Sequence, residues 1–147
     1  CIMDIIEKND EDEKKSTNKL AQINPLVFAF LGDSVHTLYV RENVIKESIN
    51  KLNDYNKKCN FLCRAKTQSK VLDNIYDKLM ETEKDLIRRT RNTKLHHTSK
   101  NSNLIDYKKA TCFEALVGYL YLKGEKERLN QILKMSIEIE GKNDCRR

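Results

Sequence analysis

Two carboxylates stand where carboxylates are least expected. Asp33 lies in the run Phe28-Ala29-Phe30-Leu31-Gly32-Asp33-Ser34-Val35, and Glu114 in Thr111-Cys112-Phe113-Glu114-Ala115-Leu116-Val117-Gly118. If both runs are helical, the side chains one turn from Asp33 are Ala29, Phe30, His36 and Thr37, and those one turn from Glu114 are Ala110, Thr111, Val117 and Gly118. Neither acid belongs to a charged face. A carboxylate in apolar surroundings needs a cation, a hydrogen-bond donor or a shared proton. Gly32 and Gly118 each cost a helix interior about 1 kcal/mol relative to alanine, so their presence points to close helix approach. That approach could bring both carboxylates to one hard divalent ion such as Mg2+, which takes few protein oxygens and keeps several waters. Acids that cap or bridge helices are the structural alternative.

The elements that must position these acids are helical. Only four Gly and one Pro occur among 147 residues, and apolar residues recur at three- and four-residue spacing with no alternating run of the strand kind. Asn24-Pro25 caps a long helix that the pattern carries from Pro25 to about Lys46. Leu52, Tyr55, Cys59, Leu62, Cys63, Val71, Leu72, Ile75 and Leu79 predict two further helices, broken between Asn60 and Arg64. Thr82 and Asp85 suggest a capping box opening a helix to about Asn92. Thr93–Asn103 reads as an exposed loop. Patterning resumes near Ile105, stops at Gly124 and restarts from Glu125 to about Glu140. Residues 1–15, with five acids and three bases between Glu7 and Lys15, read as a flexible acidic lead-in, with room for a short helix at Ile2–Lys8. Residues 16–147 then form a single domain.

The net charge of +6 is unevenly spread. Lys57, Lys58, Arg64, Lys66 and Lys70 occupy a stretch with no acid, and Arg88, Arg89, Arg91, Lys94, Lys100, Lys108 and Lys109 face Asp106 alone. Clustering of this kind suits a polyanion such as nucleic acid, against the plainer reading of solvated surface. No apolar run approaches the ~20 residues of a membrane span, so no membrane partner is expected. Cys1, Cys59, Cys63, Cys112 and Cys145 lack the paired spacing of a zinc ribbon and are expected to be reduced thiols, with Cys59 and Cys63 buried. The expected compartment is the cytoplasm, or an organelle had a targeting segment been removed.

The two acidic runs resemble the two signature segments of ribonuclease III catalytic domains, in the same order. Larger members of that family carry one more acid a turn before the Asp and another three residues before the Glu, where this sequence has Ala29 and Thr111. This departure is similar to the shorter branch, Mini-ribonuclease III, which lacks a double-stranded RNA-binding domain. Arg64-Ala65-Lys66-Thr67-Gln68, Arg88 to Lys94, Lys100-Asn101 and Asp106 to Thr111 extend the resemblance from about Asn24 to about Ile139. The resemblance implies an all-α ribonuclease III fold of roughly six to seven helices, consistent with the periodicity. It also implies metal-dependent cleavage of double-stranded RNA by a homodimer, leaving 5′-phosphates and short 3′ overhangs. Asp33 and Glu114 would be the catalytic, metal-holding acids, the first helix would help form the dimer, and precursors of large-subunit ribosomal RNA would be the substrates.

A-form RNA is held chiefly through phosphates and 2′-hydroxyls, which basic side chains can meet. Arg64, Lys66, Arg89, Arg91, Lys94, Lys100, Lys108 and Lys109 are the candidate RNA contacts. His96 and His97 are expected to be solvated, and His36 to be packed rather than to move protons. The competing reading is a catalytically inactive ribonuclease III-like module that binds RNA or a ribosomal particle. A second is an unrelated helical metal-binding or interaction domain, which would have to explain the basic loop and both acidic runs separately.

Overall fold

The computed structural model describes residues 19–47, 51–95 and 103–144, with side chains to residue 138. The lead-in, Lys100, His96 and His97 lie outside the described residues. Six α-helices and one 3-10 turn are described, with no strand among these residues. The helices are α1 (Pro25–Val44), α2 (Leu52–Cys63), α3 (Ala65–Ile75), α4 (Glu81–Arg91), α5 (Leu104–Lys123) and α6 (Lys126–Asp144). The all-helical expectation holds.

Helix α5 is the axis of the fold. Its buried residues Ala110, Cys112, Phe113, Ala115, Leu116, Val117, Gly118 and Leu120 leave little polar surface, as expected of a helix enclosed by others. It packs against α1, α3, α4 and α6, while α2 leans on α1 and α3. Asn103 caps its start by accepting from Ile105 N at 3.0 Å, and Gly124 ends it with φ of 79°, a left-handed conformation suited to glycine. Helix α1 begins as the sequence predicts, with Asn24 accepting from Leu26 N at 3.0 Å and Pro25 in the first turn. It ends two residues before the expected Lys46.

The crossing of α1 over α5 is made by glycines. A Cβ on Gly32 would lie 1.8 Å from the backbone oxygen of Glu114, and one on Gly118 would lie 1.9 Å from that of Phe28. Backbone meets backbone in both directions, so neither contact can be relieved by turning a side chain. Asp33 and Glu114 are the residues beside these contacts, and the close approach anticipated from the two glycines is real.

Two other joints differ from the sequence pattern in detail. Helix α4 starts at Glu81, and the carboxylate that turns back to its cap is Glu83, which accepts from Met80 N at 2.9 Å. The anticipated Thr82–Asp85 box does not form, because Thr82 is already inside the first turn and Asp85 pairs with Arg88 at 2.8 Å on the surface. The break between α2 and α3 falls at Arg64, whose extended backbone (ψ 152°) serves as the cap of both helices. The Thr67 hydroxyl donates to Phe61 O at 2.7 Å, and Arg64 lies 4.2 Å above the Phe61 ring.

Candidate active site

Both acids line one open cleft of about 510 Å³ between α1, α3, α5 and the segment after α4. Ala29 and Thr111 line it too, so the positions at which longer relatives would add acids are present in the wall but carry no charge. The Thr111 hydroxyl is turned to its own helix, donating to Tyr107 O at 2.9 Å. Among the described residues, no group of three or more His, Cys, Asp or Glu side chains is arranged to hold a metal. This is a two-carboxylate site.

The two carboxylates are not equivalent, and the expectation that both are embedded among apolar side chains needs correcting. Asp33 is exposed. Its helical neighbour Phe30 is 83% exposed, so that flank of α1 looks outward; apolar neighbours in sequence do not ensure burial when they are themselves uncovered. Glu114 sits deeper. Burial, and secondarily the negative charge of Asp33, push its carboxyl up from 4.5 to about 8, while a hydrogen bond from the Gln68 side chain opposes them. None of these influences is a cation. The site therefore disfavours a second negative charge beside Asp33, and its oxygen donors suit a hard divalent ion completed by water.

Gln68 was not singled out from the sequence. It is 1% exposed, and its Nε2 lies 3.0 Å from Nδ1 of His36. Its spacing gives it away in retrospect: Gln68, Val71, Leu72 and Ile75 recur at three and four residues, which puts an amide on the apolar face of α3. His36 is packed as expected, edge-on to Phe113 with ring centroids 5.0 Å apart. Burial lowers its pKa to about 4, so the ring is neutral near pH 7. Tyr107 and Cys63 also line the cleft, Cys63 being half-buried rather than enclosed like Cys59. Burial raises the Cys63 thiol to about 11, so near pH 7 it carries its proton.

The proposed RNA contacts separate into groups. Lys94 lines the cleft, and Arg64 and Lys66 are exposed on either side of the cleft-lining Ala65. Arg89, Arg91, Lys108 and Lys109 are not among the cleft-lining residues. Arg89 donates to Ala21 O at 3.3 Å, tying α4 to the segment before α1. Lys109 bonds Asp73 of α3 at 2.9 Å, so its charge is already matched. Arg91 is exposed, and Lys108 is half-buried.

Residues 26–125 match the model of the Ribonuclease III domain family, a span that contains both acids and the glycine crossing. The chain is 44% identical to the Mini-ribonuclease 3 of Thermoanaerobacter sp. (strain X514), over 80% of this chain and 82% of that protein. It is 42% identical to the Mini-ribonuclease 3 of Brevibacillus brevis, over 79% and 87% respectively. The chain belongs to the ribonuclease III family, in its Mini-ribonuclease III branch. Its fold is similar to the crystal structure of protein FN1578 from Fusobacterium nucleatum, with a TM-score of 0.73 and 29% identity over 81% of this chain and 95% of that one. Membership makes this an endoribonuclease of the ribonuclease III type. Within a ribonuclease III, a cleft holding two carboxylates with a lysine at its edge has the chemical parts that phosphodiester hydrolysis needs.

Proposed function

We propose that this Mini-ribonuclease III is a divalent-metal-dependent endonuclease that cuts double-stranded RNA, with Asp33 and Glu114 as the catalytic acids holding Mg2+. The observation that carries the reading is the convergence of both carboxylates on one cleft, where Glu114 is held near 8 by burial and by its acidic neighbour. A resident cation would favour the ionised Glu114 and let it give up that proton. Bound there, a divalent ion supplies a water of lowered pKa and charge stabilisation for the phosphodiester under attack.

The chain's own groups do the rest. Asp33, at the mouth, and Glu114, deeper in, fix the two directions from which oxygen is offered. Lys94 can meet a phosphate in the cleft, and Arg64 and Lys66 can take the flanking backbone of the duplex. Arg91 and Lys108 extend that basic surface away from the cleft. Lys100 belongs to the same proposed set from outside the described residues, whereas Arg89 and Lys109 would have to exchange their present partners to join it.

A homodimer fits the surface of α1, which exposes Val27, Phe30 and Leu38 at helical spacing along one side. Two clefts so paired would each cut one strand. Precursors of large-subunit ribosomal RNA, processed in the cytoplasm, are the proposed substrates, on the strength of the branch resemblance.

The test is to incubate purified protein with labelled duplex RNA, with and without Mg2+, beside Asp33→Asn and Glu114→Gln. Cutting by the wild type only with Mg2+, and a loss of about a thousandfold or more in each variant, is the expected result. An intact duplex with the wild type, or variants that cut as well as it does, would overturn the assignment.

A further inference from the structure

Gln68 presents a buried amide to the cleft that Glu114 lines. Gln68 comes from α3, His36 from α1 and Glu114 from α5, so three helices meet at one side chain. An amide nitrogen carries two hydrogens. One can go to Nδ1 of His36 at 3.0 Å, which leaves the other for the Glu114 carboxylate, a lining group of the same cleft whose pKa the amide pulls down. A neutral imidazole has one N–H and one lone pair, so a donating Gln68 places the His36 proton on Nε2. The ring itself is fixed by its edge-on contact with Phe113, the residue preceding Glu114. His36 and Gln68 are 3% and 1% exposed, so water is a poor substitute for either partner.

We propose that Gln68, oriented by His36, is a positioning residue that holds the Glu114 carboxylate in the rotamer from which it offers oxygen to the metal. The inference rests on reading Glu114 as a metal-holding acid. A partly buried glutamate with three rotatable bonds and a carboxylate neighbour would otherwise turn away from Asp33, and an amide that is itself held by His36 gives it a donor in a set place. Partners of this kind around ligating carboxylates typically account for about 10–100-fold in metal affinity or activity. His36 acts one step further out, by holding the amide end of Gln68 at Nδ1 so that it stays in the cleft wall.

Two variants separate positioning from packing. Gln68→Met keeps the length and bulk of the side chain and removes both hydrogen bonds. His36→Phe keeps the aromatic contact with Phe113 and removes Nδ1. Binding of Mn2+ alone, followed by the loss of its free electron paramagnetic resonance signal, is measured beside kcat and KM on duplex RNA. Gln68→Met is expected to weaken Mn2+ binding and lower kcat by about tenfold or more, with KM within twofold. His36→Phe is expected to move both in the same direction by a smaller factor. In a Glu114→Gln background, Gln68→Met is expected to add no further loss of Mn2+ binding.

Unchanged Mn2+ binding in the Gln68 variant overturns the proposal, as does a change confined to KM or a full additive loss in the Glu114→Gln background. Should Gln68→Met fail to fold, an unchanged His36→Phe decides against it equally. A wild type that binds Mn2+ but leaves duplex RNA intact defeats the assigned function instead, and the metal-binding comparison still judges the role of Gln68.

Discussion

Glu83 and Glu114 are both glutamates withdrawn from water in helices of the same domain, and their surroundings are opposites. Glu83 is 1% exposed and fully answered: Arg128 of α6 reaches it at 2.7, 3.0 and 3.2 Å, and Met80 N donates to it at 2.9 Å. Arg128 also donates to Lys78 O at 3.0 Å, so the pair locks α6 to the start of α4. Glu114 has an amide for a donor and a carboxylate for a neighbour. One acid closes its electrostatics within the chain and holds helices together. The other leaves them open, at the cost of stability, in a cleft that a cation can enter.

That contrast can be broken most forcefully at Arg128. Arg128→Met leaves Glu83 buried without its cation, and removing one partner of a buried pair typically costs about 3–5 kcal/mol. Chemical denaturation should show a loss of that order, while the folded fraction cuts RNA at the wild-type rate. Replacing Glu83 and Arg128 together with Met and Leu should recover most of the loss. If cutting collapses while the stability of Arg128→Met stays near that of the wild type, the pair is not the structural lock described above.

Gly118 sharpens the comparison from the geometric side, because the unsatisfied acid depends on two helices touching backbone to backbone. Gly118→Ala puts a methyl group 1.9 Å from Phe28 O, which only a shift of α1 against α5 can relieve. Forced overpacking typically costs about 1–3 kcal/mol, and here the displacement falls on the pair Asp33 and Glu114. A lowered melting temperature together with cutting that needs a higher Mg2+ concentration is expected. Stability and cutting both unchanged would mean that the crossing does not set the site.

The same residues explain what the sequence could and could not reveal. The glycine crossing was legible because a glycine inside a helix is costly and needs a reason, and both long helices carried one. The helix order was legible through the cap at Asn24-Pro25, the stop at Gly124 and the apolar spacing between them. Depth was not: Asp33 has apolar neighbours yet faces outward, since Phe30 beside it is uncovered, and a linear neighbourhood does not report which flank another helix occupies. Lys109 and Arg89 looked like free cations because their partners, Asp73 and the Ala21 carbonyl, are 36 and 68 positions away. Gln68 was hidden for a related reason. Its placement on an apolar face was visible, but the residues that give it meaning lie on two other helices.

The smallest effect tests the comparison by sign. Glu114 keeps its proton to about 8 in the folded protein and would release it near 4.5 once unfolded, so across that window the unfolded state binds fewer protons. Stability of the metal-free protein must then fall as pH rises from about 4.5 to about 8, and level off above it. Glu114→Gln removes the titration and the repulsion from Asp33 while keeping a side chain of the same shape. In EDTA at pH 8 that variant should melt a few degrees above the wild type, roughly 2–4 °C for a gain near 1 kcal/mol. The advantage should shrink as the pH is lowered toward 5, and saturating Mg2+ should reverse it by stabilising only the wild type. Arg128→Met, measured beside it, should lose stability at every pH between these limits. A Glu114→Gln variant that melts below the wild type in EDTA at pH 8 would place Glu114 with Glu83, as an acid whose charge the fold already satisfies.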